Sequence, residues 1–170
     1  ILVDIHGRTA AVEREAALPR HDFARHFFPG VDAHPDLRDA LAGLLAKADA
    51  GRRCLIHGDY HMNNILERDG GFTVIDWTNI QLGDPRYDMA WSTVIMRIFA
   101  GGEHSAFYRS ELMKKTGCTG EELELFEAVA CLRVILLARS FELPRKREAV
   151  SAIRRMREEN RHLRGRRFLQ

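Results

Sequence analysis

The sequence predicts an α+β protein that is mostly helical and contains one small β-hairpin. Apolar residues recur every three or four positions in several long segments, which is typical of amphipathic helices. Only two short apolar stretches, separated by a glycine-containing turn, have strand character. The 170 residues, 45% apolar and 29% charged, suit one globular domain over residues 1–170 and exclude a disordered or fibrous chain. No apolar run reaches about 18 residues, so we expect no membrane span.

The predicted helices begin at residues that favour a helix start. Before Gly30 the sequence indicates only helical fragments and loops, whereas Pro35 starts an amphipathic helix that Gly51 would end. Thr119-Gly-Glu-Glu122 has the form of a capping box, and the segment after it is apolar on nearly all sides as far as Arg139. The other helices are predicted over about 86–99, 104–115 and 145–163.

The predicted hairpin lies near the middle of the chain. Its strands are residues 64–67 and 72–76, and Arg68-Asp-Gly-Gly71 supplies residues that tolerate a positive φ in the turn. Because the strands run out and back, the hairpin returns Asp76 to the side of Asn64. The sequence therefore predicts that two polar residues far apart in the chain become neighbours.

Charge and cysteine content restrict the partners and the location of the protein. Residues 1–144 have a net charge of −5 and residues 145–170 one of +7, so the chain ends in a basic helix and tail. Such a helix is most often a solvated face, and we expect neither a nucleic-acid nor a membrane partner. The three cysteines form neither a disulfide framework nor a metal-ligand spacing, which favours a cytoplasmic location. The first residues resemble the end of an element whose beginning is missing.

One segment has the residue types and spacing of a phosphoryl-transfer site: His57-Gly-Asp-Tyr-His-Met-Asn-Asn64, followed twelve residues later by Asp76. Phosphoryl transfer to a hydroxyl needs a carboxylate that orients the hydroxyl and accepts its proton. It also needs Mg²⁺, for which carboxylate and amide oxygens are suitable ligands. The kinase catalytic loop meets both needs with H-x-D-x-x-x-x-N and a later Asp after a hairpin. His57, Asp59, Asn64 and Asp76 match that spacing.

Four motifs in order strengthen this interpretation: His57-Gly-Asp-Tyr-His61, Asn64, Ile75-Asp-Trp77 and Gly83-Asp-Pro-Arg-Tyr-Asp88. Together they resemble the aminoglycoside phosphotransferase and choline kinase-like family, which are small-molecule kinases with a protein-kinase-like fold. The resemblance extends over about residues 35–140 and is densest between 54 and 91. It implies an enzyme that uses Mg²⁺ and ATP or GTP to phosphorylate a hydroxyl of a small molecule, an aminoglycoside or another acceptor.

The resemblance implies a role for each matching residue. Asp59 would be the catalytic base, and Asn64 and Asp76 would hold Mg²⁺ beneath the nucleotide phosphates. Four further residues are expected to structure the loop rather than take part in the chemistry: His57, His61, Asp84 and Asp88. Trp77 and Thr78 replace the Phe and Gly of the protein-kinase metal motif, as in the small-molecule branch, which argues against a protein-kinase-style activation switch.

The sequence lacks the parts that the family uses to cover the nucleotide. The resemblance implies an N-terminal β lobe with a phosphate-covering loop and a strand lysine. No Gly-x-Gly-x-x-Gly occurs, and the lysines, at 47, 114, 115 and 146, lie in or beside predicted helices. We therefore expect the C-terminal lobe alone, with little or no turnover, because transfer needs groups from both lobes. The surface facing the other lobe should be apolar and exposed, which favours a homo-oligomer.

Two other functions stay open at this point. A non-catalytic lobe would act by binding or assembly, and nucleotide titration with Mg²⁺ separates it from a kinase. A metallohydrolase would place His57, Asp59 and His61 on one face of a strand, where they would bind a transition metal. The conformation of residues 57–61 separates this alternative, because the kinase needs a loop there and the hydrolase a strand.

Overall fold

The computed structural model describes residues 1–15, 18–19, 21–48, 52–140, 146–166 and 168. In these ranges the helices are α1 (Leu2–Gly7), α2 (Thr9–Glu15), α3 (Phe23–Phe27), α4 (Pro35–Leu45), α5 (Pro85–Phe99), α6 (Gly102–Thr116), α7 (Gly120–Ser140) and α8 (Lys146–Glu159). The strands are β1 (Cys54–Ile56), β2 (Ile65–Arg68), β3 (Gly71–Val74) and β4 (Gln81–Gly83). Short 3₁₀ turns cover Val31–Ala33, Met62–Asn64 and Trp77–Asn79. The predicted fold class, mostly helical with a small β-hairpin, is confirmed.

Helix α7 is the centre of the helical part. It packs against α4, α5 and α8, and Leu123, Leu132 and Ile135 are fully buried. Each such side chain contributes about 1.5–3 kcal/mol when it leaves water. The predicted capping box begins this helix: the Thr119 N–H donates to Glu122 Oε2 at 2.8 Å, and the Glu122 N–H donates to Thr119 Oγ1 at 3.2 Å. A capped start and a continuous apolar surface explain why this helix is the longest described.

Helices are present at the predicted positions, with differences at two ends: α4 ends at Leu45, before the predicted cap at Gly51, and α8 also ends early. This helix ends at Glu159 rather than near residue 163. Asn160 stops it, because its side-chain amide donates to the Glu124 carbonyl at 2.8 Å and its Oδ1 accepts the His162 N–H at 2.9 Å. Gly51 and residue 145, which were expected to bound α4 and α8, lie outside the described residues.

The β structure consists of two antiparallel pairs in the part of the chain described here. The predicted hairpin is β2–β3, with Ile65 opposite Val74, and its turn has a positive φ at Asp69 and Gly70, as a tight two-residue turn requires. The second pair, β1–β4, aligns Leu55 with Leu82 and was not predicted. A three-residue strand gives too weak a local signal, and its pairing depends on contacts between residues far apart in sequence.

These elements place the loop at residues 57–61 between β1 and the hairpin. Strand β1 pairs with β4. It also packs against α1, and Thr9 Oγ1 accepts the Leu55 N–H at 2.8 Å. The loop therefore starts from a strand that is fixed on both sides. Among the described residues, no helix is long and apolar enough to cross a bilayer.

Candidate active site

The backbone of the catalytic loop (residues 57–61) turns sharply at Gly58. This glycine has φ +77°, and a Cβ at its position would lie 2.7 Å from the Asn79 carbonyl oxygen and 2.9 Å from Phe27 Cε1. Only glycine fits both the conformation and the space. The segment is therefore a loop, the conformation expected for a kinase rather than for the metallohydrolase alternative.

Asp88 fixes the loop through its backbone N–H groups. This carboxylate is fully buried and accepts the N–H groups of His57 and Gly58, each at 2.7 Å. Its Oδ2 also lies 3.2 Å from His6 Nε2. Hydrogen bonds to an ionised group are short and strong, so the start of α5 holds the start of the loop.

His57 connects the loop to the end of the hairpin. Its ring is fully buried, with Nε2 at 2.9 Å from the Ile75 carbonyl oxygen and Nδ1 accepting the Asp59 N–H at 3.3 Å. Because both ring nitrogens have protein partners, the ring is not available as a metal ligand. This removes one of the three ligands that a transition-metal site at His57, Asp59 and His61 would need.

Hydrogen bonds connect Asn64 to the loop and to the residue before Asp76, whose own side chain is exposed. The buried Asn64 donates from its side-chain Nδ2 to the backbone carbonyl oxygen of Asp59 at 3.0 Å. The backbone carbonyl of Asn64 accepts the Ile75 N–H at 2.9 Å. Asp76 follows with a left-handed φ of 59°, a conformation that Asp tolerates better than most residues. Two hydrogen bonds thus connect Asp59, Asn64 and the residue before Asp76.

The donor atoms of this cluster fit a magnesium ion. No described residue donates a hydrogen bond to Asn64 Oδ1 or to Asp76 Oδ2; Thr78 Oγ1 donates to the other oxygen of Asp76 at 2.7 Å. One amide and one carboxylate oxygen, completed by water and phosphate oxygens, are a usual Mg²⁺ environment. Among the described residues, no three His, Cys, Asp or Glu side chains converge as a tighter metal site would require.

Electrostatics keep the Asp59 carboxyl ionised. Burial raises the pKa of this carboxyl. The His61 ring, the positive charge of Arg133 and the Trp91 indole N–H lower it by more than burial raises it, so the pKa lies below its usual value. His61 Nε2 is 3.7 Å from Asp59 Oδ2, an electrostatic contact longer than a hydrogen bond. The Trp91 N–H is buried without a hydrogen-bond partner among the described residues and acts on Asp59 by proximity.

The two remaining predicted residues have different surroundings. His61 lies beside the cluster, with Nε2 at 3.4 Å from Asn64 Nδ2. Asp84 instead caps α5 by accepting the Arg86 N–H at 2.9 Å, and it pairs with the Arg86 guanidinium at 2.6 Å. Arg86 in turn pairs with Glu122 at 3.1 Å. Among the residues that the structure describes, Asp84 therefore bonds only to Arg86 at the start of α5, and Arg86 connects α5 to α7; none of the hydrogen bonds described for Asp84 reaches the loop it was expected to brace.

Sequence reasoning missed Arg133 of α7. Its Nη1 donates to the Gly58 carbonyl oxygen at 2.8 Å, 75 positions away in the chain. A signal was present, because Arg133 is the only charged residue between Glu127 and Arg139 in an otherwise apolar stretch. A lone charge in a buried helix needs partners, but the sequence does not say which.

The family follows from a comparison with known sequences. The model of the phosphotransferase enzyme family matches residues 4–122, which include the loop, the hairpin and α5. The chain belongs to this phosphotransferase family. No curated protein matches it significantly.

Solved structures show that this phosphotransferase-family chain shares its fold with kinases of small molecules. A thermostable mutant of aminoglycoside phosphotransferase APH(4)-Ia, in ternary complex with AMP-PNP and hygromycin B, superposes with a TM-score of 0.53 at 23% identity, over 79% of this chain and 45% of that one. A choline/ethanolamine kinase family protein from Mesorhizobium loti gives 0.50 at 15% identity, over 96% and 56%. The chain thus spans about half the length of these structures.

Proposed function

We propose that this chain is the catalytic and metal-binding part of a phosphotransferase that transfers the γ-phosphate of ATP or GTP to a hydroxyl of a small molecule. In this proposal Asp59 is the catalytic base, and Asn64 and Asp76 hold Mg²⁺. The observation that supports it is the pair of hydrogen bonds from Asn64 Nδ2 to Asp59 and from the Ile75 N–H to Asn64. They join the loop and the hairpin end in one polar cluster.

Each proposed role agrees with the chemistry of the side chain. Asp59 would accept a hydrogen bond from the acceptor hydroxyl and take its proton as the oxygen attacks phosphorus. Its lowered pKa keeps the carboxylate ionised, so it can accept a hydrogen bond from the hydroxyl, although the same shift makes it a weaker base toward the proton. The free oxygens of Asn64 and Asp76 would bind the metal, which supplies positive charge next to the phosphates. His57 and Asp88 would keep the loop in the required conformation.

The substrate class is a further part of the proposal. The APH(4)-Ia complex contains hygromycin B and a nucleotide analogue, which supports a hydroxylated small molecule as acceptor and a nucleoside triphosphate as donor. The net charge of −5 over residues 1–144 favours a cationic acceptor. We also propose that the reaction takes place in the cytoplasm and involves neither nucleic acid nor membrane.

We propose that phosphoryl transfer needs more groups than this chain supplies. The chain matches 45% of the length of the aminoglycoside phosphotransferase and 56% of the choline/ethanolamine kinase family protein. Phosphoryl transfer depends on groups that surround the phosphates from several sides. We therefore expect this chain alone to show weak or no turnover. If it also binds neither nucleotide nor metal, the alternative of a non-catalytic lobe that acts by binding another partner or by assembly is favoured.

Metal binding tests the proposal without requiring turnover. Mn²⁺ replaces Mg²⁺ as a paramagnetic probe, and its binding in the presence of AMP-PNP is followed by electron paramagnetic resonance. Asp76→Asn should weaken Mn²⁺ binding about tenfold or more, because a charged ligand is lost. Asp69→Asn is the matched control, since Asp69 also has a left-handed φ, of 53°, but lies at the hairpin tip. Equal Mn²⁺ affinity in both variants would contradict the proposed metal site.

Turnover tests the role of Asp59. In a form of the protein that transfers phosphate, Asp59→Asn should lower kcat by roughly 10²–10⁴-fold, the usual contribution of a general base. Mn²⁺ affinity should stay within a few-fold of the original, because the metal ligands are unchanged. Retained kcat in Asp59→Asn would exclude the base role.

A further inference from the structure

Arg133 is a half-buried cation on the apolar helix α7, and its contacts converge on the catalytic loop. Its Nη1 donates to the Gly58 carbonyl oxygen at 2.8 Å and lies 2.6 Å from the Tyr87 hydroxyl oxygen. Placing a cation in such a site costs free energy unless its hydrogen bonds are satisfied. The side chain therefore has a structural reason to remain bound to the loop.

The guanidinium is also enclosed by aromatic rings. Its central carbon lies 4.2 Å from the centre of the Trp91 ring system and 5.0 Å from that of Phe27. A planar guanidinium can stack on rings while its N–H groups donate in the plane, which the ammonium of lysine cannot do in the same way. Trp91 belongs to α5 and Phe27 to α3, so Arg133 joins two helices to the loop.

The hydrogen bond from Arg133 to the Gly58 carbonyl fixes a part of the loop backbone that Asp88 does not hold. Asp88 holds the N–H groups of His57 and Gly58, but it does not bond to the peptide between Gly58 and Asp59, whose N–H makes only the long 3.3 Å bond to His57 Nδ1. Gly58 has φ +77° and few conformational restrictions. The bond to Arg133 holds the carbonyl of this peptide, and thereby sets the direction in which Asp59 leaves the backbone.

We propose that Arg133 is a positioning residue for Asp59: it fixes the Gly58–Asp59 peptide through the Gly58 carbonyl, whereas Asp88 holds the preceding N–H groups, and it also holds Trp91 against the loop. The link to catalysis rests on the proposed function, whereas the ordering of the loop does not. The loop backbone is thus held by a carboxylate on its N–H groups and by a guanidinium on its carbonyl. Neither residue bonds directly to the Asp59 side chain.

Nuclear magnetic resonance of the whole chain tests this proposal with Arg133→Met, Arg133→Lys and the control Arg139→Met. Arg139 lies on the same helix and also makes short bonds, to Asp36 at 2.7 Å and to the Phe168 carbonyl at 2.6 Å, away from the loop. The carbonyl ¹³C shift of Gly58 reports its hydrogen bond, and amide hydrogen exchange at Asp59 and Tyr60 reports loop order. The free energy of unfolding of each variant is measured in parallel.

In Arg133→Met we expect the Gly58 carbonyl shift to move and exchange at Asp59 and Tyr60 to accelerate by about tenfold relative to α5. Arg133→Lys should recover part of both effects, and Arg139→Met should show neither, even where it lowers the free energy of unfolding. Unchanged loop signals in Arg133→Met, or a uniform acceleration across all helices, would overturn the proposal.

These readouts need neither nucleotide nor turnover. A chain that orders its loop through Arg133 but binds no Mn²⁺ would contradict the proposed function and leave the positioning inference standing. The reverse result, with Mn²⁺ bound and the loop indifferent to Arg133, would overturn the inference alone.

Discussion

The catalytic loop and helix α7 are both buried, but different interactions stabilise them. In the loop, the buried ring of His57 and the backbone N–H groups held by Asp88 of α5 are satisfied by directional hydrogen bonds. In α7, Leu132 and its apolar neighbours are stabilised by burial, which has no preferred direction. The loop is consequently sensitive to the identity and conformation of single groups, whereas the helix is sensitive mainly to volume.

Removing volume from the helical part should have the largest effect on stability. Leu132 is fully buried, so Leu132→Ala leaves a cavity and should lower the free energy of unfolding by about 3–5 kcal/mol. Urea denaturation measures this loss, while the Mn²⁺ affinity of the folded fraction should stay unchanged. A changed affinity would show that the core and the site are coupled more strongly than their separate interactions indicate.

Two glycines with nearly the same backbone conformation test the sensitivity of the loop. Gly58 and Gly70 have φ +77° and +74°, but a Cβ at Gly70 meets nothing within 4 Å. Gly70→Ala should cost about 1 kcal/mol from backbone strain alone, whereas Gly58→Ala should cost about 2–4 kcal/mol because atoms also overlap. Equal losses in urea denaturation would show that the space around Gly58 is not restrictive.

The pH dependence of stability isolates the charge of Asp59. Burial raises the pKa of this carboxyl, but His61, Arg133 and Trp91 outweigh burial, and the folded-state pKa is lowered. A lowered folded-state pKa adds stability that is present above about pH 4 and is lost as the pH falls through the folded-state value. In Asp59→Asn the free energy of unfolding should therefore fall less steeply below about pH 4 than in the original chain. If the free energies of unfolding of the two proteins changed with pH in parallel, a lowered folded-state pKa of Asp59 would be contradicted.

The smallest effect concerns the hairpin groove, a mainly apolar groove lined by Ile5, Arg8, Val12, Leu55, Phe72, Thr73, Val74, Trp77 and Ile80. Phe72 is 60% exposed there, whereas Phe107 is 71% exposed on α6. If this groove is the apolar surface through which the sequence predicts a homo-oligomer, Phe72→Ser should reduce self-association in sedimentation experiments and Phe107→Ser should not. A chain that stays monomeric at high concentration would exclude the oligomer.

The sequence alone determined the elements whose signals are local. The helix from Pro35, the capping box at Thr119 and the hairpin around Gly70 depend on nearby residues, and the motif spacing identified Asp59, Asn64 and Asp76 as candidates. The site roles of these three residues stay predictions, and the out-and-back path of the hairpin predicts proximity only for Asn64 and Asp76. Local chemistry and short loops are sufficient for such conclusions.

Only the tertiary structure decided how the loop is held. Strand β4 is too short to be predicted, Asp84 bonds to Arg86 rather than to the loop, and Arg133 reaches Gly58 across 75 positions. These features depend on which helices pack together, and packing energy has little sequence signature beyond apolar character. A charged residue in an apolar helix indicates that it needs hydrogen-bond partners, but the packing of the helices determines which residues these are.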